Sequence, residues 1–146
     1  MKHDKGLVLI DTNIIVYALG DDPAKSETAA RFVLELGKSG RGVLSVQTLS
    51  EMYWVITRKR KPALPPELAK QVVSDYARSW QVIEPGRDSF IRAVEGVMRH
   101  SISFWDAMQW AVAMEHNVTT MLTEDLNHGQ LIERVRIMNP FRSDTI

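Results

Sequence analysis

The chain has 146 residues, with 18 Lys plus Arg balanced by 18 Asp plus Glu, four His and no Cys. At 45% hydrophobic and 25% charged, residues 1–146 describe a single globular domain with enough apolar side chains for a sizeable core. The lack of cysteine excludes disulfide-stapled scaffolds, thiolate zinc sites and thiol nucleophiles, and a net charge of zero removes the simple electrostatic argument for a nucleic-acid partner.

Leu7, Val8, Leu9 and Ile10 form an unbroken apolar run, which predicts a short strand buried on both faces. The run is too short for a signal-peptide core or a membrane span, so a soluble, cytoplasmic protein with no membrane association is expected. Asp22 before Pro23 predicts a helix start, with Asp21 in the same cap, and Ala29, Ala30, Phe32, Val33 and Leu36 supply its apolar stripe. Gly42, Val43, Leu44, Ser45 and Val46 read as a second strand, followed by a helix striped with Leu49, Met52, Tyr53 and Ile56. Pro62, Pro65 and Pro66 break the chain before a helix carrying Leu68, Val72, Val73 and Tyr76. Trp80, Gln81, Val82 and Ile83 predict a third strand. Two more helices follow, marked by Phe90, Ala93, Val94 and Val97, and by Ala107, Met108, Ala111, Val112 and Met114. Thr119, Thr120, Met121 and Leu122 predict a fourth strand; Val135, Arg136, Ile137 and Met138 predict a fifth, stopped by Asn139-Pro140.

Strands separated by helices require crossover connections, so the expected fold is a three-layer α/β/α arrangement around a mostly parallel, five-stranded sheet. In such sheets the site lies beyond the carboxyl ends of the strands, where the strand order reverses. Four acids fall there. Asp11 follows the first strand, Glu51 opens the helix after the second, Asp106 opens the helix before the fourth, and Asp125 follows the fourth. Carboxylates brought that close raise one another's pKa unless a cation compensates. A hard divalent ion, Mg²⁺ or Mn²⁺, suits such oxygen ligands, and a water it activates can attack a phosphodiester.

Each acid also has a local structural reading. Thr48-Leu49-Ser50-Glu51 and Ser103-Phe104-Trp105-Asp106 fit the capping-box pattern; Asp11 fits a cap for a helix near Asn13, and Asp125 a turn. These readings account for each acid singly, but not for their shared side of the sheet.

Asp11-Thr12-Asn13 after the first strand, Ser50-Glu51, Phe104-Trp105-Asp106-Ala107 and Leu122-Thr123-Glu124-Asp125 resemble, in order and approximate spacing, the motifs of the PIN domain. From about Leu7 to Phe141 the chain looks like a VapC-type toxin ribonuclease, with particular similarity from Thr123 through Phe141. The resemblance implies a Mg²⁺- or Mn²⁺-dependent endoribonuclease, the toxin of a type II toxin–antitoxin pair, acting on RNA, forming a homodimer and inhibited by a cognate antitoxin. It implies that Asp11 and Asp106 are metal ligands, that Glu51 and Asp125 complete the acidic pocket, and that Asn13 and Thr123 position ligands or phosphate. The family spacing after Thr123 favours Asp125 over Glu124.

Arg58, Lys59, Arg60 and Lys61 place four positive charges at a helix C-terminus, where they either contact the RNA backbone or complement the helix dipole. Tyr53 and Trp105 are expected in the core rather than stacked on bases, and Trp54 and Trp110 on a dimer or antitoxin surface. His3, His100, His116 and His128 show no zinc-ligand spacing, and His128 reads as a turn residue. Two other functions fit less well. A non-catalytic RNA- or protein-binding module would be expected to lack a pocket acid, and a haloacid-dehalogenase-like phosphatase would carry Asp where Asn13 stands.

Overall fold

A computed structural model describes residues 5–20 and 22–143; His3 and Asp21 lie outside the described residues. The apolar runs become strands and the striped segments become helices. In chain order they are β1 (Val8–Ile10), α1 (Thr12–Ala18), α2 (Pro23–Ser39), β2 (Gly42–Ser45), α3 (Val46–Trp54), a π-turn (Val55–Lys59), α4 (Pro66–Ser79), β3 (Gln81–Ile83), α5 (Arg87–His100), α6 (Phe104–Glu115), β4 (Thr120–Leu122), β5 (Leu131–Ile132), β6 (Val135–Met138) and a 3₁₀ turn (Pro140–Arg142). The strands form one sheet in the order β3-β2-β1-β4-β6-β5, parallel except for β5.

Side-chain alternation along the buried strands builds two cores. Val8, Ile10 and Leu44 pack with Ile14, Phe32, Leu36 and Met52 from the helices α1 to α3. Leu9, Val43 and Met121 point the other way, onto Ala93, Trp110 and Ala111 of α5 and α6. Helices therefore cover both faces, which gives the three layers expected. Trp110 fits between its neighbours because Gly96 leaves room: a Cβ added there would lie 2.6 Å from Trp110 Cζ3. Among the described residues no helix is long and apolar enough to cross a membrane.

The structure corrects several details. Among the described residues the sheet has six strands rather than five, because the two-residue β5 pairs antiparallel with β6 around Glu133, whose φ of 53° makes the turn. Val46 starts α3 instead of ending β2, since the Ser45 side chain accepts a hydrogen bond from Thr48 N and caps the helix there. That moves Glu51 into the second turn of α3, so Thr48 and Glu51 do not form a capping box. Trp80 caps α4 rather than beginning β3. The aromatic assignments reverse: Trp110 is 1% exposed, whereas Tyr53 and Trp105 are largely solvent-facing, with Trp105 at 65%. Trp54 is exposed.

Candidate active site

The chain runs from β1 outward through β2 to β3, then returns past β1 to β4, so the strand order switches between β1 and β4. Asp11 and Asp125 follow these two strands. Asp106 joins them from the first turn of α6, where Ser103 caps the helix: its hydroxyl accepts from Asp106 N at 3.1 Å and donates to Asp106 Oδ2 at 2.9 Å. One carboxylate oxygen each from Asp11, Asp106 and Asp125 lies within 4.8 Å of the others.

Asp11 is the buried member, 7% exposed. It caps α1 by accepting from Thr12 N at 2.8 Å on Oδ1, and Thr123 Oγ1 donates to its Oδ2 at 2.8 Å. Burial raises its pKa from 3.8 to about 6; these two hydrogen bonds favour the ionised form, while Asp125 and Asp106 oppose it. Asp125 is also raised, by burial first and then by Asp106, Glu124 and Glu51, with the bond from Asn13 acting the other way. Asn13 Nδ2 donates to Asp125 Oδ2 at 3.0 Å, and Asp125 N donates to Thr123 Oγ1 at 3.1 Å. Thr123 thus links two of the acids and Asn13 orients one of them.

Glu51 lines the same cavity without joining the tight three-acid group. Thr12 Oγ1 donates to its Oε2 at 2.9 Å and Gln47 Nε2 to its Oε1 at 2.8 Å. Glu124 turns away: Lys25 Nζ lies 2.6 Å from its Oε2, and the Tyr17 hydroxyl donates to its Oε1.

The cavity, about 920 Å³, is lined by Asp11, Glu51, Asp106 and Asp125 together with Gln47, Trp54, Lys59 and Trp105. A smaller lobe of about 260 Å³ runs between Asn13, Tyr17 and Val55 and shares Asp11, Glu51 and Asp125. The basic stretch does not act as a block. Lys59 lines the cavity, the Arg58 guanidinium sits 5.8 Å from the Trp54 ring centroid, Arg60 Nη2 donates to the Leu19 carbonyl at 3.5 Å, and Lys61 is exposed. His128 Nδ1 accepts from Asn139 N at 3.0 Å, a turn role as read from the sequence.

A further layer of buried polar side chains, which no sequence motif marks, lies behind Asp11. Gln109, buried on α6 one turn after Asp106, accepts from Ser45 Oγ at 2.6 Å and donates to Thr48 Oγ1 at 2.9 Å and to Asp11 Oδ1 at 3.4 Å. Thr48 in turn donates to the Ile10 carbonyl at 3.1 Å. The available signal was an amide amid the apolar residues of that helix.

The donor set suits a hard divalent cation. All candidate ligand atoms are oxygens, two carboxylates are pushed toward protonation by burial and by their acidic neighbours, and Asn13 Oδ1 is buried with no hydrogen-bond partner among the described residues. Such groups fit Mg²⁺ or Mn²⁺.

The PIN domain family model matches residues 8–133. No curated protein gives a significant match. Among solved structures, the chain is similar to VapC20 of Mycobacterium tuberculosis, a sarcin–ricin loop cleaving toxin, with 20% identity over 81% of this chain and 91% of that one, at a TM-score of 0.62. It is also similar to the DNA-bound VapBC of Salmonella typhimurium, with 21% identity, 92% and 98% coverage and a TM-score of 0.67. A third likeness is to DNA-bound FitAB, with 17% identity, 94% and 98% coverage and a TM-score of 0.67.

Proposed function

The chain belongs to the PIN domain family, and from that premise we propose that it is a divalent-metal-dependent endoribonuclease that hydrolyses RNA phosphodiesters as the toxin of a toxin–antitoxin pair. The observation that carries this reading is the convergence of Asp11, Asp106 and Asp125 within 4.8 Å at the switch point of the sheet.

Asp11, Asp106 and Asp125 would hold the cation, with Glu51 lining the same cavity and the unpartnered Asn13 Oδ1 as a further oxygen beside Asp125. Bound Mg²⁺ or Mn²⁺ supplies a water of lowered pKa and stabilises charge developing on the phosphoryl oxygens. Thr123 favours the ionised form of Asp11 and holds it in place, and Ser103 fixes the orientation of the Asp106 carboxylate. Asp125, at the rim of the cavity, is placed to take the proton of the attacking water. Lys59 offsets phosphate charge at the cavity wall. Exposed Trp54 and Trp105 provide faces on which unpaired bases stack.

A protein antitoxin is the expected partner, in line with the VapBC and FitAB complexes whose fold this chain shares. A homodimer is supported by the apolar side chains that α5 leaves exposed, Ile91, Val94 and Met98. A cytoplasmic location goes with this role. The family match and Asn13 in place of a second aspartate leave no support for a phosphatase of the haloacid-dehalogenase type.

The test is cleavage of RNA by the purified chain with Mn²⁺ or Mg²⁺, alongside Asp11→Asn and Asp106→Asn. Both variants should fold and lose activity. Divalent-dependent cleavage retained by both would refute the assignment, and failure of the wild-type chain to bind Mn²⁺ at millimolar concentration would favour a non-catalytic binding module. Inducing the chain alone in bacterial cells and mapping new RNA 5′ ends, with Asp11→Asn as control, reports toxicity and substrate together.

A further inference from the structure

Two acids, Glu124 and Asp125, stand side by side in the segment after β4, and either side chain is chemically able to serve the cluster. The longer Glu124 carries the same charge one residue away. What separates them is helix α1. Asn13 and Tyr17 are four residues apart and therefore share one helix face; Asn13 takes Asp125, and Tyr17 takes Glu124. Lys25, in the first turn of α2, completes the hold on Glu124 with an ion pair at 2.6 Å. Its ammonium is itself held by two rings, 4.8 Å from the Tyr17 centroid and 5.1 Å from that of Phe141, which pack edge to face at 5.6 Å. The cation is thus preorganised by groups that have no part in the acidic cavity, apart from Tyr17 at the edge of its smaller lobe.

We infer that Lys25 and Tyr17 are positioning residues that pin Glu124 outside the metal-ligand cluster and so fix Asp125 as its third carboxylate. This rests on the reading of the cluster as a divalent-cation site. The physical reason is twofold. Pairing with Lys25 offsets a negative charge that otherwise adds to the repulsion around Asp125. Anchoring Glu124 also restrains the bend that carries Asp125, because the two residues are adjacent in a segment beyond the end of β4. Groups that orient ligands without touching the metal commonly change affinity by 10- to 100-fold when removed. A partly exposed ion pair such as Lys25–Glu124 contributes little to global stability, so Lys25→Met should fold.

The experiment titrates Mn²⁺ into the full chain by calorimetry and follows exchange of the Asp125 amide, which is bonded to Thr123. Wild type, Lys25→Met, Tyr17→Phe, Lys25→Arg and the double variant Lys25→Met/Glu124→Gln are compared. Lys25→Met should bind Mn²⁺ about tenfold more weakly or worse and exchange the Asp125 amide faster; Tyr17→Phe should do both to a smaller extent, and Lys25→Arg should resemble wild type. Adding Glu124→Gln to Lys25→Met should restore affinity, because the unpinned competing carboxylate is gone. Wild-type affinity and exchange in Lys25→Met, or a double variant no better than the single one, overturns the inference. Should Lys25→Met fail to fold, Tyr17→Phe decides by the same criteria. A wild-type chain that does not bind Mn²⁺ overturns the cation-site reading instead, and unchanged Asp125 exchange in Lys25→Met then overturns the clamp separately.

Discussion

Replacing Asp11 with Asn should stabilise the metal-free protein at neutral pH while abolishing its activity. The Asp11 carboxyl is buried and its pKa is raised from 3.8 to about 6, so the folded state binds this proton more tightly than the unfolded chain does. The ionised carboxylate therefore costs stability, in full above about pH 6, and the cost disappears as pH falls through the window from 6 to 3.8. A displacement of roughly two units corresponds to about 3 kcal/mol at pH 7 and to less than about 1 kcal/mol at pH 4. Asn keeps an oxygen for Thr12 N but turns an amide toward the Thr123 hydroxyl, which already accepts from Asp125 N. Losing that bond subtracts about 1 kcal/mol, leaving a gain of about 2 kcal/mol at pH 7. Urea denaturation of both proteins in EDTA at pH 7 and pH 4 measures the difference directly. A stability difference that does not change between the two pH values would refute the reasoning, because only ionisation of Asp11 makes it pH-dependent. With saturating Mn²⁺ the order should invert, since ligand at 100 times its Kd stabilises the wild type by about 2.7 kcal/mol.

Gln109→Leu should cost about 2 to 3 kcal/mol in urea denaturation, because it removes buried hydrogen bonds to Ser45, Thr48 and Asp11, and it should reduce cleavage as well by loosening Asp11. Trp110→Ala should lose roughly 3 to 5 kcal/mol of stability, since the indole fills the space over Gly96 and donates to the Ile132 carbonyl at 3.1 Å. Trp105→Ala should change stability by less than about 1 kcal/mol yet weaken binding of single-stranded RNA by about 1 to 3 kcal/mol, measured by fluorescence anisotropy. Lys59→Ala should lower the slope of log affinity against log salt by about 0.7, the single-strand value for one phosphate contact. Lys61→Ala, away from the cavity, should leave that slope unchanged.

The strands and the four acids were legible because each is written locally. A buried strand is an apolar run, and an acid just past a strand or opening a helix is visible as such. The partners of those acids were not legible, because they depend on how one element is rotated against another. Glu51 shows this: shifting the cap of α3 from Thr48 to Ser45 changes its role from a capping partner to a side chain held by Thr12 and Gln47. Gln109 reaches Ser45 and Thr48 only because α6 packs across the end of β2. The tryptophans of α6 depart from their expected places for a different reason. At about 100° per residue, Trp110 lies about 60° from the buried Ala107 and Trp105 about 160° from it. The stripe therefore held the answer, and Gly96 on the neighbouring helix was its complement. β5 left almost no trace, since two residues cannot establish a period.

Zero net charge also conceals an uneven molecule. Three carboxylates converge at one end of the sheet, while the four consecutive cations near residue 60 spread out: one faces the cavity, one lies against Trp54, one reaches the Leu19 carbonyl and one faces solvent. One lysine does not neutralise those acids, so the metal-free cavity repels a phosphate chain. A divalent ion reverses this, and RNA affinity should therefore depend on the ion even where no cleavage occurs. Ca²⁺, an oxygen-seeking ion with looser coordination than Mg²⁺, separates the two effects: RNA should bind with Ca²⁺ and dissociate on chelation while remaining uncut. Equal RNA affinity in Ca²⁺ and in EDTA would show that the strand is held by surfaces other than the acidic cluster.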